Sequence, residues 1–264
     1  MTHFDTIIIG AGFSGLYQLH RCRDDLNLKT LVIEEGSDLG GTWYWNTYPG
    51  ARCDSESHTY GYTFSENIYK NWTWNEKYPK QSKILKYLNY VEKKLNLRKN
   101  ILFNHKIISA KYLERKNLWQ IKTNKKKVLF CKYLICAVGS LSAANIPKIK
   151  GLNTYKGKYY HTGRWPKKKV NLKDQVIAQI GTGSSGIQVA PEIAKVVKKL
   201  VIFQRTPNYS IPARNKKLTK EIMKSWFKII KITKIWLSKM KSQNLLSTKK
   251  ERLWMISEEN GEKI

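Results

Sequence analysis

Two glycine-rich hexapeptides, Gly10-Ala11-Gly12-Phe13-Ser14-Gly15 and Gly181-Thr182-Gly183-Ser184-Ser185-Gly186, constrain this chain more than any other feature. Before the first, Thr6–Ile9 reads TIII, the continuous apolar pattern of a parallel strand buried on both faces. After it, Leu16–Asp25 suits a helix and Thr30–Ile33 a second strand, which ends in Glu34-Glu35 about 20 residues beyond the loop. Strand, glycine loop, helix, strand and acid in this order predict a dinucleotide site. Gly10 and Gly12 permit a tight turn and close approach of a pyrophosphate, and Gly15 lets helix and strand pack. The helix N-terminus contributes its dipole and amides, with Ser14 in the first turn. An acid ending the second strand accepts from a free ribose 2′-hydroxyl, which suits FAD or NAD over NADP. Glu34 is the expected acid, with Glu35 second.

The second hexapeptide repeats the pattern. Gln175–Ile180 reads as a strand, GTGSSGIQ opens a helix running through Val197, and Leu200–Phe203 is the next strand. It ends in Gln204-Arg205-Thr206-Pro207, a cation and a hydroxyl where the first half carries an acid. An Arg there accommodates a 2′-phosphate, so this site is expected to prefer NADP, held by Gly181, Thr182, Gly183, Ser184, Ser185, Gly186, Ile187, Arg205 and Thr206. The predicted fold class is α/β, with two Rossmann-like dinucleotide-binding domains. Residues 1–145 are expected to form an FAD-binding domain. Residues 146–264 form an incomplete NADP-binding domain that includes a basic, aromatic-rich helical segment at 218–246. Leu141–Lys150 reads as the linker.

Between the loops, Gly40 to Asp54 carries Trp43, Tyr44, Trp45 and Tyr48, four large aromatics bracketed by glycines. Placed just after the ribose acid, they suit a pocket for a flat isoalloxazine ring. Asn71–Arg98 reads as an aromatic loop followed by an amphipathic helix with Ile84, Leu85, Leu88, Val91 and Leu95 facing the core. Ile101–Leu113, Leu118–Thr123 and Val128–Phe130 are predicted antiparallel strands, with Asn124–Lys127 as the last turn, and Tyr133–Val138 as a further buried strand. Cys131 and Cys136 have the spacing of a redox dithiol but lie on a strand far from the first loop, so inert thiols are expected.

The net charge of +30 raises the question of nucleic acid, but 40 of the 49 basic residues are lysines scattered along 264 residues. Phosphate recognition leans on clustered Arg, so solvated faces and no specific nucleic-acid partner are expected. Four cysteines without disulfide or zinc spacing fit a reducing compartment, and no metal site is expected. The chain enters a strand at once, leaving no room for a signal peptide, and no apolar run approaches the roughly 20 residues of a membrane span. A cytoplasmic protein is expected.

Two further stretches carry a resemblance. Gly40-Gly41-Thr42-Trp43 through Tyr48-Pro49-Gly50 to Asp54, and Tyr155-x-Gly157-x3-His161-x3-Trp165-Pro166, resemble the two patterns of type I Baeyer–Villiger monooxygenases, with Tyr in place of the usual Phe at 155. The likeness runs from Ile7 to about Asn215. Related nitrogen- and sulfur-oxidising flavin enzymes carry a Tyr where Trp165 stands, so Trp165-Pro166 favours the Baeyer–Villiger branch. The resemblance implies FAD and NADPH as cofactors, and a ketone and O2 as substrates. NADPH reduces FAD, and the reduced flavin activates O2 for insertion into the ketone, giving an ester or lactone. It also implies that Ser14, Glu34, Thr42, Trp43, Tyr44, Trp45, Asp54, Tyr60 and Ile107 contact FAD, with Arg52, Cys53 and Asp54 near the nicotinamide. His161 and Trp165 would couple domain movement to catalysis. Family members are much longer, and their second half is expected to supply a catalytic arginine and the remainder of both domains. N- or S-oxygenation, or a non-catalytic nucleotide-binding remnant or interaction protein using the basic helix at 218–246, are the other readings.

Overall fold

The computed structural model describes residues 2–141 and 143–247, with side chains described for all of these but Thr2, Lys234 and residues 236–247. Two compact units are present: Met1–Glu56 with Tyr78–Asn215, and Ser57–Lys77 with the chain from Lys216.

In chain order the elements are β1 (Thr2–Ile9), α1 (Phe13–His20), β2 (Thr30–Ile33), α2 (Thr42–Trp45), α3 (Glu66–Tyr69) and α4 (Gln81–Leu95). Then come β3 (Ile101–Leu102), β4 (Ile107–Leu113), β5 (Leu118–Thr123), β6 (Val128–Cys136), β7 (Val176–Ile180), α5 (Ser184–Ile193), β8 (Lys199–Phe203) and α6 (Lys220–Ser247). The first unit holds a six-stranded mixed sheet ordered β3-β2-β1-β6-β5-β4 and a parallel pair, β7-β8. β1 lies parallel to both β2 and β6, while β5 runs antiparallel to β4 and β6. Both faces of β1 are covered, which is why Ile7 and Ile8 are wholly buried and its sequence shows no alternation. Ile7, Ile33, Ile121, Leu129 and Cys131 form one core cluster. The α/β class and the duplicated strand–loop–helix–strand unit are as expected.

Several boundaries differ from expectation, each for a long-range reason. Val128–Phe130 and Tyr133–Val138 are one strand, β6, because Cys131 is paired on both edges, to Phe4 of β1 and Trp119 of β5. Ile101–Leu113 is not a single antiparallel strand. Its first two residues join β2 in parallel, Asn104 turns at φ +58°, and β4 pairs at the opposite end of the sheet. The helix after the first loop starts at Phe13, earlier than expected, and its end, Arg21–Asp25, widens into a π turn. The helix after the second loop stops at Ile193 rather than Val197. There the chain turns back, with the Lys198 amide donating to Gln175 O at 2.9 Å, to set β8 beside β7. On α4, Tyr87 and Glu92 are buried along with Ile84, Leu88 and Val91, whereas Leu85 and Leu95 are only half-buried.

Cys131 and Cys136 lie five residues apart on one strand and so face opposite sides. Cys131 is buried and its thiol pushed up to about 11 by burial, while Cys136 is exposed and both are free. They form no dithiol.

The second unit packs α6 on Ser57–Lys77. Met223 is buried, the Trp226 ring stacks on His58 at 4.5 Å, and Phe227 tilts against Tyr69 at 5.8 Å. The segment expected to be helical at 218–246 is helical from Lys220, while the side chains of Trp236, Leu237 and Met240 lie outside the described residues. Among the described residues no helix is long and apolar enough to cross a membrane.

Candidate functional site

The two glycine loops are built to one plan. Gly10, at φ +98°, ends β1 and donates its N–H to Ile33 O at 2.8 Å; Gly181, at φ +95°, ends β7 and donates to Phe203 O at 2.8 Å. Gly12 and Gly183 stand at the N-caps of α1 and α5, and no side chain caps either helix. Their first-turn amides are thus left without a side-chain acceptor, the arrangement that takes a phosphate.

At the end of β2 the structure distinguishes the two acids. Glu34 is buried, its Oε2 accepting from the Ala11 N–H and its Oε1 from the Gly36 N–H, both at 2.7 Å. Glu35 is exposed and pairs with Lys106 at 3.3 Å. The Glu34 carboxylate therefore ties the glycine loop to the end of β2, and each oxygen keeps a lone pair for a hydroxyl donor. The amides of Asn104 and His105 donate to Gly36 O and Glu34 O at 2.9 Å, which leads the chain past this corner to Ile107. Ile107 itself packs against the sheet core. Ser14 is exposed in the first turn of α1.

The aromatic stretch is a single helical turn, α2, brought to the loop by the Gly40 N–H, which donates to Ala11 O at 2.9 Å. Trp43 is buried, whereas Thr42, Tyr44 and Trp45 are half-buried. The Tyr44 and Trp45 rings meet edge to face at 4.8 Å, and the Tyr44 hydroxyl lies 2.8 Å from Ser37 Oγ. The Lys167 amine sits 4.1 Å from the Tyr44 ring centroid and donates to the Tyr44 carbonyl. Sequence reasoning overlooked this lysine, which directly follows Trp165-Pro166 and fastens that segment to α2. His161 Nδ1 accepts from the Gly163 amide at 3.2 Å, capping the short turn Thr162–Arg164, and the Trp165 ring tilts against Tyr160 at 5.6 Å.

Downstream of α2, Cys53 is buried and burial raises its thiol, while Asp54 is exposed. The Arg52 guanidinium donates to Tyr78 O at 3.3 Å. Tyr60 belongs to the second compact unit, whereas the other predicted FAD contacts belong to the first.

Around the second loop, Thr182 Oγ1 accepts from Gln204 Nε2 at 2.8 Å, so the loop and the segment carrying Arg205 and Thr206 are bonded together. Arg205 and Thr206 are both exposed, as are Gly183, Ser184 and Ile187. Gln179 Nε2 donates to Gly181 O at 3.0 Å and Gly186 O at 3.1 Å, bracing the loop from inside. A glutamine two residues before such a loop was the available signal, and it carried no weight in the sequence.

Residues 5–254 match the pattern of the flavin-binding monooxygenase-like family. The chain is 40% identical over 227 residues to a 2-oxo-Δ3-4,5,5-trimethylcyclopentenylacetyl-CoA monooxygenase of Pseudomonas putida, covering 84% of this chain and 42% of that protein. Among solved structures, cyclohexanone monooxygenase from Rhodococcus sp. Phi1 bound to NADP+ superposes with a TM-score of 0.84 at 41% identity, over 90% of this chain and 44% of that one. OTEMO in complex with FAD and NADP superposes with a TM-score of 0.82 at 39% identity, over 87% and 44%. The chain thus spans less than half the length of these relatives.

Proposed function

Because the chain belongs to the flavin-binding monooxygenase-like family, we propose that it carries the FAD- and NADPH-binding portion of a Baeyer–Villiger monooxygenase, which inserts one atom of O2 into a ketone. The observation that carries this is the pair of like-built glycine loops in one compact unit, one ending in a buried acid and the other beside an arginine. The two relatives named for their ketones, and the solved complexes with NADP+ and with FAD and NADP, support it. Trp165-Pro166 favours ketone oxidation over N- or S-oxygenation.

In this reading residues 1–145 hold FAD and 146–264 contribute to the NADP site. The first-turn amides of α1 take the FAD pyrophosphate, with Gly10, Gly12, Ser14 and Gly15 lining the approach, and Glu34 accepts from the adenosine ribose. Thr42–Trp45 and Asp54 flank the flavin, and Ile107 contributes to the FAD site from the sheet. Arg52–Asp54 face the nicotinamide, and His161 and Trp165 move with the domains. FAD supplies the redox chemistry when bound; this chain's residues bind, orient and shield it. In this reading the protein acts in a reducing, cytoplasmic compartment, in which the free thiols of Cys22, Cys53, Cys131 and Cys136 persist.

The test is direct. The purified chain, mixed with FAD and passed through gel filtration, is expected to elute with bound flavin and to bind NADP+ in titration calorimetry. Protein spanning the relatives' full length is expected to consume NADPH when given cyclic ketones. Elution without flavin, or NADPH consumption driven by amines and sulfides but by no ketone, would overturn the proposal.

Arg205→Ala is expected to weaken NADP+ binding about 10- to 100-fold through loss of a charged contact to the 2′-phosphate, and to leave NAD+ affinity unchanged. Titration with both nucleotides checks it; equal losses for the two would show that Arg205 does not read the phosphate.

A further inference from the structure

One side chain joins α5 to the segment leading out of α2, and neither glycine loop accounts for it. Gln188 offers both ends of its amide to the backbone of one residue. Its Oε1 accepts from the Arg52 N–H at 3.2 Å, and its Nε2 donates to the Arg52 carbonyl at 3.2 Å. The same Oε1 accepts from the Tyr48 hydroxyl at 3.0 Å. Two opposed bonds to one residue imitate a rung of a β-ladder and fix orientation as well as distance, where a single bond would let the helix pivot. The backbones also touch. Gly50 stands at φ +82°, and a Cβ there would lie 2.2 Å from the Gln188 carbonyl oxygen. Beside this seam is a cleft of about 190 Å³ that Arg52, Lys80 and Glu192 help to line. The Glu192 carboxyl is held below its usual range, first by its hydrogen bond from Lys195 and then by the charges of Lys80 and Arg52.

Gln188 lies about one helical turn beyond Ser184, the first residue of α5. A displacement at Gln188 is therefore carried along a rigid turn to Gly183 and the second glycine loop. The other side of the seam, Tyr48–Arg52, follows α2 directly.

We propose that Gln188 is a positioning residue that locks α5 to the Arg52 backbone and so holds the two dinucleotide sites at one spacing. This rests on reading both loops as cofactor sites. Hydride transfer needs donor and acceptor within about 3–3.5 Å, so a displacement of about 1 Å at this seam slows it steeply without removing any group that binds either cofactor.

Two variants attack the seam from opposite sides. Gln188→Leu keeps the side-chain bulk and deletes the bonds; Gly50→Ala keeps the glutamine and wedges the backbones apart. In the cofactor-free chain, hydrogen exchange at the Arg52 amide is expected to speed up about tenfold in both, with Ile7 and Val32 unchanged. Unchanged exchange at Arg52 in Gln188→Leu overturns the lock. In the FAD-loaded chain, anaerobic reduction by NADPH is expected to slow at least about tenfold in Gln188→Leu, with NADP+ affinity within about twofold of wild type. A loss of NADP+ affinity with an undiminished maximal rate overturns the positioning role and makes Gln188 a binding residue. Wild-type chain that takes up no FAD defeats the functional reading by itself, and the Arg52 exchange still decides the lock.

Discussion

Replacing Gly15 with alanine is expected to destabilise the first α/β half by about 3 kcal/mol or more and to deplete its bound flavin. An added Cβ would lie 1.8 Å from the Gly10 carbonyl oxygen and 2.9 Å from its carbon. Gly10 cannot retreat, because its N–H is bonded to Ile33 O at 2.8 Å. The remaining escape is for α1 to lift off β1, which exposes Leu16 and Leu19, both fully buried. Overpacking by one methyl costs about 1–3 kcal/mol where side chains can yield. Here backbone meets backbone, so the cost sits at or above the top of that range, against a total stability of about 5–15 kcal/mol for a folded domain. Urea unfolding followed by far-UV circular dichroism, and flavin absorbance after gel filtration, provide the measurement. Ser14→Ala alters the exposed neighbouring residue and is expected to unfold within about 0.5 kcal/mol of wild type. A Gly15→Ala chain with wild-type unfolding and a full complement of FAD would refute the packing role given to this glycine.

Glu34→Gln is expected to have the next largest effect. Both carboxylate oxygens of Glu34 accept backbone N–H groups, from Ala11 and Gly36. A glutamine amide has one acceptor oxygen, so whichever way it is turned its NH2 faces another donor. Losing a charge-assisted bond in a buried setting costs about 2–3 kcal/mol, and the loop it holds is the one proposed to take the FAD pyrophosphate. Stability in urea should fall by that amount, and FAD affinity by about 10- to 100-fold. Glu35→Gln removes an exposed pair with Lys106 and is expected to cost less than about 1 kcal/mol. A larger loss in Glu35→Gln than in Glu34→Gln would reverse the assignment of the ribose acid.

The parts of this protein legible in one dimension are those whose physical cause is local. Gly10, Gly12 and Gly15 sit within six residues, and TIII carries the unbroken apolar pattern of a strand covered on both faces. The place of Glu34 at the strand end is readable in sequence; that it is buried and accepts from two backbone amides is not. The continuity of β6 is not local: what keeps Cys131 in the strand is Phe4 on one edge and Trp119 on the other, and Phe4 is far away in sequence. The split between β3 and β4 has the same origin, since two ends of a sheet compete for one stretch of chain.

The site divides along the same line. The hexapeptides, the acid, the aromatic turn and the Trp165-Pro166 segment announce themselves because a turn, a dipole or a flat ring demands particular residue types at short spacing. Gln179, Gln188 and Lys167 do not, because a glutamine or lysine is compatible with almost any surface position. Gln188 acquires a role when folding brings Arg52 within 3.2 Å, and Lys167 when Tyr44 comes under its amine. Local spacing was enough to specify two glycine loops of one build, each opening a helix at the end of a strand. How α5 is fixed to the backbone beyond α2 depends on pairings across more than a hundred residues, whose partners exist as neighbours only in the folded chain.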